Sequence, residues 1–372
     1  MAALALRPQV LVAGPLIPAV RRDLGLSHTA AGLLGTIPVL CMGLFALPAS
    51  RFSRAVGSRA ALAIAVFGIA GFGIARAGAP TGIVLLLLTV PVSIGMGLGN
   101  ALLPVAAKEH FHDRPAFATG IYATGINVGA AATGFAAAPI AHAVGGWRGA
   151  LVVISIAAAV SGAAWVALTR GAHGESAPAE PHVRLPFGNR LVWRLIAIFA
   201  LQSTTYYGLN AWLPAVYVER GWSETAAGGL LGVLNLVAIP AGMLVAAIAD
   251  RIPRRGYLML GALMFIAATL GVELLPSGAW AWAALAGIGS GTLFPLVMTL
   301  PLDVAKRPAQ VSAVVGAMLG AGYALSALSP LALGAVRDGT GSFGDALWVL
   351  VASSCALVVL FASLSRARLD SL

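Results

Sequence analysis

The sequence predicts an all-α membrane protein in which twelve transmembrane helices form two pseudo-repeated six-helix bundles. The first observation behind this prediction is composition. Hydrophobic residues make up 59% of the 372 residues and charged residues only 10%, and the mean hydropathy is +0.91. Soluble domains contain about 25% charged residues, so this chain has too few charges to cover a water-facing surface.

The second observation is an internal repeat. A first group of residues returns in the same order and spacing in the second half: Pro18, Gly25, Ser27 and Gly32 recur as Pro214, Gly221, Ser223 and Gly228. A glycine-rich group also returns, with Gly95, Gly97 and Gly99 before Pro104, and Gly287, Gly289 and Gly291 before Pro295. Two halves that run in the same direction indicate the parallel repeat of a secondary transporter.

Each half contains six apolar segments of the length that crosses a bilayer, which is about 20 residues. In chain order they lie near 4–20, 30–50, 60–76, 82–106, 116–143, 148–169, 194–217, 225–249, 256–275, 279–300, 311–335 and 345–364. The polar, proline-containing stretch at 169–193 is predicted to link the bundles, which then span 1–168 and 194–372.

The basic residues predict the orientation. Most of the 23 Lys and Arg residues fall in alternate connections that share a side with the central linker, and Arg76 is assigned to a connection on the other side. Cytoplasmic loops are enriched in Lys and Arg. Both termini are therefore predicted to be cytoplasmic, in a multi-pass protein of the plasma membrane, which in a bacterium is the cell inner membrane.

Other classes of protein receive little support. The net charge of +10 is spread over membrane loops, so no nucleic-acid partner is expected. Cys41 and Cys355 stand singly in apolar spans, and the six histidines are scattered. Because no metal-ligand spacing or catalytic motif is present, no metal, no cofactor and no enzymatic activity are expected. A monomer is expected.

The connection between the eighth and ninth spans resembles a known signature. Asp250, Arg251, Arg254 and Arg255 are similar to the cytoplasmic loop motif of the major facilitator superfamily, and Arg51 lies in the degenerate first-half copy. The resemblance implies the major facilitator fold and a gating role for these five residues, since a carboxylate can pair with arginine in one conformation and release it in another. The alternative is an ordinary solvated loop.

Further segments resemble the cyanate and 2-nitroimidazole transporter branch of that superfamily. They begin at Leu6, Gly99, Thr124, Gly145, Gln202 and Ala211. The resemblance implies secondary transport of a small anion or a small polar planar solute by alternating access. Only six residues precede Arg7, whereas this branch has a longer first span, so the first helix is expected to be truncated.

Arg7 is the first candidate for substrate binding. A guanidinium stays protonated, and in a span without a carboxylate it needs a counter-anion, which the substrate would supply. Charged residues inside spans are usually functional. The alternative is that the side chain extends to the cytoplasmic interface.

A polar stripe on the seventh span gives the next candidates. Gln202, Tyr206 and Asn210 recur at intervals of four, which keeps them on one helix face, and Tyr207 lies beside them. Amide edges and aromatic faces suit a small planar polar ligand. The alternative is hydrogen bonding between helices. Asn100, Asn127 and Asn235 are single polar residues of the fourth, fifth and eighth spans, for which both interpretations stand.

No acidic residue lies well inside a predicted span, so the sequence contains no visible carboxylate relay for protons. A co-transported proton remains an open possibility. Export of a nitroimidazole-like drug on the same fold is the main alternative function. A non-transporting sensor and a membrane enzyme are weaker alternatives.

Overall fold

The protein is almost entirely helical in a computed structural model, which describes residues 2–110, 115–170, 187–248, 254–305 and 307–363. Within these ranges there are sixteen α-helices. They are α1 (Ala2–Leu6), α2 (Pro8–Leu11), α3 (Ala13–Leu24), α4 (His28–Leu44), α5 (Ala46–Val56), α6 (Ser58–Ala77), α7 (Gly82–His110), α8 (Pro115–Ala143), α9 (Trp147–Leu168), α10 (Arg190–Glu219), α11 (Glu224–Ile248), α12 (Arg254–Leu274), α13 (Ala279–Val304), α14 (Pro308–Ser326), α15 (Leu328–Thr340) and α16 (Phe343–Ser363).

Every predicted apolar segment coincides with a helix or with a broken group of helices. Nine segments are single helices, while the first comprises α1 to α3, the second α4 and α5, and the eleventh α14 and α15. By length and composition alone, eight helical segments of the described chain are able to cross a membrane. The number is nine if the bent pair Ala2–Leu11 and Ala13–Leu24 forms one span.

The sequence repeat produces the same turn in both halves. Gly25 follows α3 with φ of 64°, and Gly221 follows α10 with φ of 87°, a conformation that glycine adopts without strain. Two residues later a serine begins the next helix: Ser27 accepts a hydrogen bond from the backbone N–H of Ala30, and Ser223 from that of Ala226. Each serine thus satisfies a free N–H at a helix start.

Successive spans alternate in direction, so the connections between them lie on two faces of the molecule. The turn face is the face with the connections α3–α4, α6–α7, α8–α9, α10–α11, α12–α13 and α15–α16. The linker face is the opposite face, where α9 ends and α10 begins. Helices of the first half of the chain pack against those of the second, chiefly α4 against α15 and α8 against α11.

Arg76 lies in the last turn of α6, next to the turn face, with its side chain buried and only 3% of the residue exposed. It is thus beside the connection to which the sequence assigns it. A hydropathy profile locates the end of an apolar segment, but it does not show whether an arginine there faces water or the protein interior.

Candidate substrate-binding site

The first span is broken at Arg7. Helix α1 ends at Leu6 and α2 begins at Pro8, whose ring lacks the N–H that a continuous helix requires. A second break at Val12 separates α2 from α3, and the two parts of the span meet at an angle of 42°. Interrupted helices in transporters place backbone and side-chain polar groups at the binding site. Arg7 therefore occupies the type of position that a site requires.

The Arg7 side chain reaches from the first half of the chain to the second. Its Nη1 donates a hydrogen bond to the hydroxyl of Tyr206 at 3.2 Å, and its guanidinium carbon lies 5.7 Å from the Tyr206 ring centre and 5.9 Å from that of Tyr207. Its Nε is buried without a hydrogen-bond partner. No carboxylate pairs with Arg7 among the described residues. The guanidinium is thus held by neutral groups and retains an unused donor.

Three polar side chains of the second half form a closed chain of hydrogen bonds behind Tyr206. The Tyr206 hydroxyl donates to Oδ1 of Asn235 at 2.7 Å, and Nδ2 of Asn235 donates to Oδ1 of Asn210 at 3.0 Å. Nδ2 of Asn210 in turn donates to the backbone carbonyl of Tyr206 at 2.8 Å. This arrangement fixes the tyrosine hydroxyl at the point where it meets Arg7.

Gln202 and Tyr207 lie beside this chain on α10. Gln202 is only 2% exposed, and its Oε1 has no hydrogen-bond partner. The Tyr207 ring packs edge to face against Tyr206, with ring centres 5.1 Å apart, and lies 6.3 Å from the ring of Tyr323 on α14. Sequence reasoning missed Tyr323, although it is a polar aromatic residue within the eleventh predicted span.

The other two asparagines are not hydrogen-bonded to this group in the described part of the chain. Asn100 on α7 donates to the carbonyl of Met96 one turn earlier in its own helix. Asn127 is half-buried on α8. Asn100 therefore bonds within its own helix and, among the described contacts, neither to the group around Tyr206 nor to a neighbouring helix.

The residues assigned to gating have different surroundings. Asp250 and Arg251 lie outside the described residues. Arg51 is exposed on α5, and Arg254 is the first residue of α12. Arg255 donates from Nη2 to the carbonyl of Ala362 at 2.7 Å, which satisfies a free carbonyl in the last turn of α16.

A second polar group, which we call the turn-face latch, joins the two halves at the turn face. It consists of Arg21, His28, Thr29, Glu219, Arg337 and Asp338. The Asp338 carboxylate accepts hydrogen bonds from the backbone N–H groups of His28 and Thr29 at 3.1 and 2.8 Å. It also accepts from Thr29 Oγ1 and contacts His28 Nδ1, each at 2.7 Å. A carboxylate of α15 thus caps the start of α4, where the helix dipole favours negative charge.

The remaining members of the latch surround the His28 ring. Nε2 of His28 contacts a guanidinium nitrogen of Arg21 and lies 3.5 Å from Oε1 of Glu219. Glu219 is also paired with Arg337, with Nη2 to Oε1 at 3.1 Å. Nearby, Arg22 of the first half pairs with Glu224 of the second. Sequence reasoning missed these contacts because most of them join residues that are far apart in the chain, such as Arg337 and Glu219 at 118 positions and His28 and Asp338 at 310.

Close helix contacts accompany the latch. A Cβ atom added to Gly32 of α4 would lie 2.4 Å from the carbonyl oxygen of Pro330 on α15, a distance at which the backbone has to move. The two halves therefore approach at this level only because position 32 has no side chain.

The Gly32→Leu variant is expected to keep the turn-face ends of the two halves apart. Overpacking costs about 1–3 kcal/mol, so we expect the equilibrium between closed and open turn faces to shift about 5- to 150-fold toward open. Distances between spin labels at Thr81 and Ser277, which are both exposed on this face, measure the shift. Gly68→Leu is the control, since Gly68 has open space around it on α6. Equal distance distributions in both variants would contradict the expectation.

A polar centre between two repeated halves, within a set of apolar helices, defines a membrane carrier. The family comparison gives the particular class: residues 5–327 match the Major Facilitator Superfamily, and the chain belongs to that family. Its members are transporters, so the protein is a transporter and not an enzyme.

Curated relatives cover most of the chain. It is 31% identical to the cyanate transport protein CynX of Escherichia coli (strain K12), over 91% of this chain and 88% of that protein. It is 29% identical to the 2-nitroimidazole transporter of the same organism, over 92% and 88%. It is 26% identical to a nitrite extrusion protein of Bacillus subtilis (strain 168), over 93% and 87%.

Solved structures share the fold. A D-xylose-proton symporter superposes with a TM-score of 0.78 at 15% identity, covering 100% of this chain and 97% of that chain. A bacterial homologue of the human lysosomal transporter Spinster, in an inward-facing and occupied conformation, gives a TM-score of 0.73 at 19% identity, covering 99% and 94%. At these identities the likeness concerns the fold alone.

Proposed function

We propose that the protein is a secondary transporter of a small monovalent anion or a small polar planar solute of the cyanate type. The observation that supports this most directly is Arg7, a buried cation between the halves with neutral partners and an unused Nε donor. A charge buried away from water needs an opposite charge. In this proposal the substrate anion provides it during each transport cycle.

The surrounding groups support a planar ligand. Tyr206 and Tyr207 offer aromatic surface next to the guanidinium. The buried Oε1 of Gln202 has no partner and accepts hydrogen bonds, so it suits a polar planar solute that carries an N–H or O–H donor. In the proposed site Arg7, Gln202, Tyr206 and Tyr207 contact the substrate. Asn210 and Asn235 support it by orienting the Tyr206 hydroxyl. Asn100 and Asn127 lie in the linker-face halves of α7 and α8 and are retained as candidate residues of the path on that side.

Transport is proposed to occur by alternating access, with 1–168 and 194–372 as the two moving units and 169–193 as their cytoplasmic linker. The turn-face latch then holds the external side closed, and Arg51, Asp250, Arg251, Arg254 and Arg255 act at the cytoplasmic side. The same proposal includes a monomer in the plasma membrane with both termini cytoplasmic. The positive-inside pattern supports that orientation.

Uptake of labelled cyanate into proteoliposomes tests this function. Saturable uptake that nitrite inhibits and neutral 2-nitroimidazole does not would support an anion carrier. A pH gradient applied across the same vesicles tests coupling to a proton: faster uptake with an acidic exterior, at zero membrane potential, supports symport. Absence of uptake of any small anion by well-folded protein would refute the proposal.

Export of a nitroimidazole-like aromatic compound is the second candidate. It is favoured by the cluster of Tyr206, Tyr207 and Tyr323 around the guanidinium and by the 29% identical 2-nitroimidazole transporter. Competition between 2-nitroimidazole and cyanate, or transport of 2-nitroimidazole alone, would favour this candidate.

A further inference from the structure

A second buried arginine lies in the first half, apart from the proposed substrate site. Arg76 donates from Nη2 to the backbone carbonyl of Gln9 at 3.2 Å and to Oε1 of Gln9 at 2.7 Å. Its Nε is buried without a partner. Nε2 of Gln9 donates to Ser155 at 3.0 Å. Arg76 therefore holds the broken part of the first span through neutral acceptors only.

In the described part of the first half, no carboxylate pairs with Arg76. Its acidic residues up to position 168 are Asp23, Glu109 and Asp113. Asp23 already accepts hydrogen bonds from Trp147 and Arg148.

Glu109, the second acidic residue of this half, is far from Arg76. It belongs to the last turn of α7 at the linker face, whereas Arg76 ends α6 at the turn face, and the 29 residues of α7 span about 40 Å. Asp113 lies outside the described residues. An ion from solution can therefore supply the counter-charge of Arg76.

Arg76 also lines a small cavity between α3, α4, α6, α7 and α9. Its volume of about 20 Å³ is sufficient for one particle of the size of a water molecule. All other lining residues are apolar, among them Val12, Leu16, Leu85 and Leu151.

The chemistry of the lining distinguishes an anion from water. A buried water makes two to four hydrogen bonds to polar groups, and Arg76 supplies the only polar side chain of the lining. An anion, in contrast, is attracted by the full charge of the guanidinium, so the N–H donors of a single arginine are enough to bind it. We propose that Arg76 and this cavity bind a monoatomic monovalent anion, chloride under ordinary conditions, as a fixed counter-ion of the first half.

This site differs from the substrate site in function. It lies within one half of the molecule, so movement of the halves against each other leaves its walls together. The bound halide stabilises the buried Arg76 and, through Gln9, the segment next to Arg7. The proposal is independent of which solute the transporter moves.

Anomalous diffraction from crystals grown in sodium bromide tests the site directly. We expect a bromide peak beside the Arg76 guanidinium in the wild type and in Arg7→Gln, and its absence in Arg76→Met. A peak beside Arg7 alone, or density that lacks an anomalous signal next to an ordered Arg76, would overturn the proposal.

A solution measurement covers the case in which Arg76→Met fails to fold. Replacing gluconate with chloride at constant ionic strength is expected to raise the melting temperature of both the wild type and Arg7→Gln by a few degrees, with saturation. Arg148→Gln is the control for an arginine outside the cavity and should respond as the wild type does. Equal melting temperatures of the wild type in chloride and gluconate would contradict the proposal.

Discussion

The Arg7→Gln variant is expected to take up the anionic substrate about 100-fold more slowly than the wild type at low substrate concentration. Glutamine keeps hydrogen-bond donors and most of the length, but it removes the charge. Breaking a buried charge pair costs about 3 kcal/mol, and each 1.4 kcal/mol corresponds to a factor of ten. Initial rates of uptake into proteoliposomes, over a range of substrate concentrations, measure the loss.

Two further variants test whether the charge of the Arg7 side chain or its planar shape matters for uptake. Arg7→Lys keeps the charge but loses the planar guanidinium, so an intermediate rate is expected. Arg148→Gln removes an arginine that is paired with Asp23 near the turn face and should leave uptake close to that of the wild type. If Arg7→Gln transports the anion normally while correctly folded, Arg7 does not bind the substrate.

The Asp338→Asn variant is expected to release the turn-face latch. The wild-type carboxylate accepts from two backbone N–H groups at the start of α4, and the bond to each is charge-assisted. Asparagine carries no charge. If its single oxygen keeps one of these bonds, its NH₂ group faces the other donors and cannot accept hydrogen bonds from them. Hydrogen bonds to charged groups contribute about 1.5–3 kcal/mol, so the open population should rise by at least about tenfold.

Spin-label distances between Thr81 and Ser277 measure this change in a protein whose Cys41 and Cys355 are replaced by alanine. Asp345→Asn is the matched control, because Asp345 lies in the first turn of α16 on the same face. A longer distance in Asp338→Asn than in Asp345→Asn is expected. If the two variants give the same distribution, the carboxylate of Asp338 does not hold the halves together.

The helices were predictable because their signals are local. The twelve apolar segments, the glycine after α3 and the serine before α4 are all visible within short windows of sequence, as are their copies in the second half. The spacing of Gln202, Tyr206 and Asn210 also predicted a shared helix face. Breaks inside the first, second and eleventh segments were not predicted, although a proline follows each break within three residues: Pro8 and Pro15 in the first, Pro48 in the second and Pro330 in the eleventh.

Contacts between the halves were not predictable in the same way. Tyr323, His28 and Asp338 acquire partners only when distant helices pack together, and no local pattern shows which helices will meet. Arg76 illustrates the same limit, since its burial depends on α3, α4, α7 and α9. The pairing of Asn235 with Tyr206 and Asn210 likewise follows from the contact between α10 and α11.

The hydrogen bond from Arg7 to Tyr206 bears on whether the protein can carry out net transport or only exchange. It gives the guanidinium a partner on the opposite half when no solute is bound. On the proposed mechanism, the unloaded protein can return to its starting conformation without exposing a lone charge to hydrocarbon. Cells that contain none of the solute would therefore still take it up, whereas a carrier that required a solute for the return step would only exchange one molecule for another.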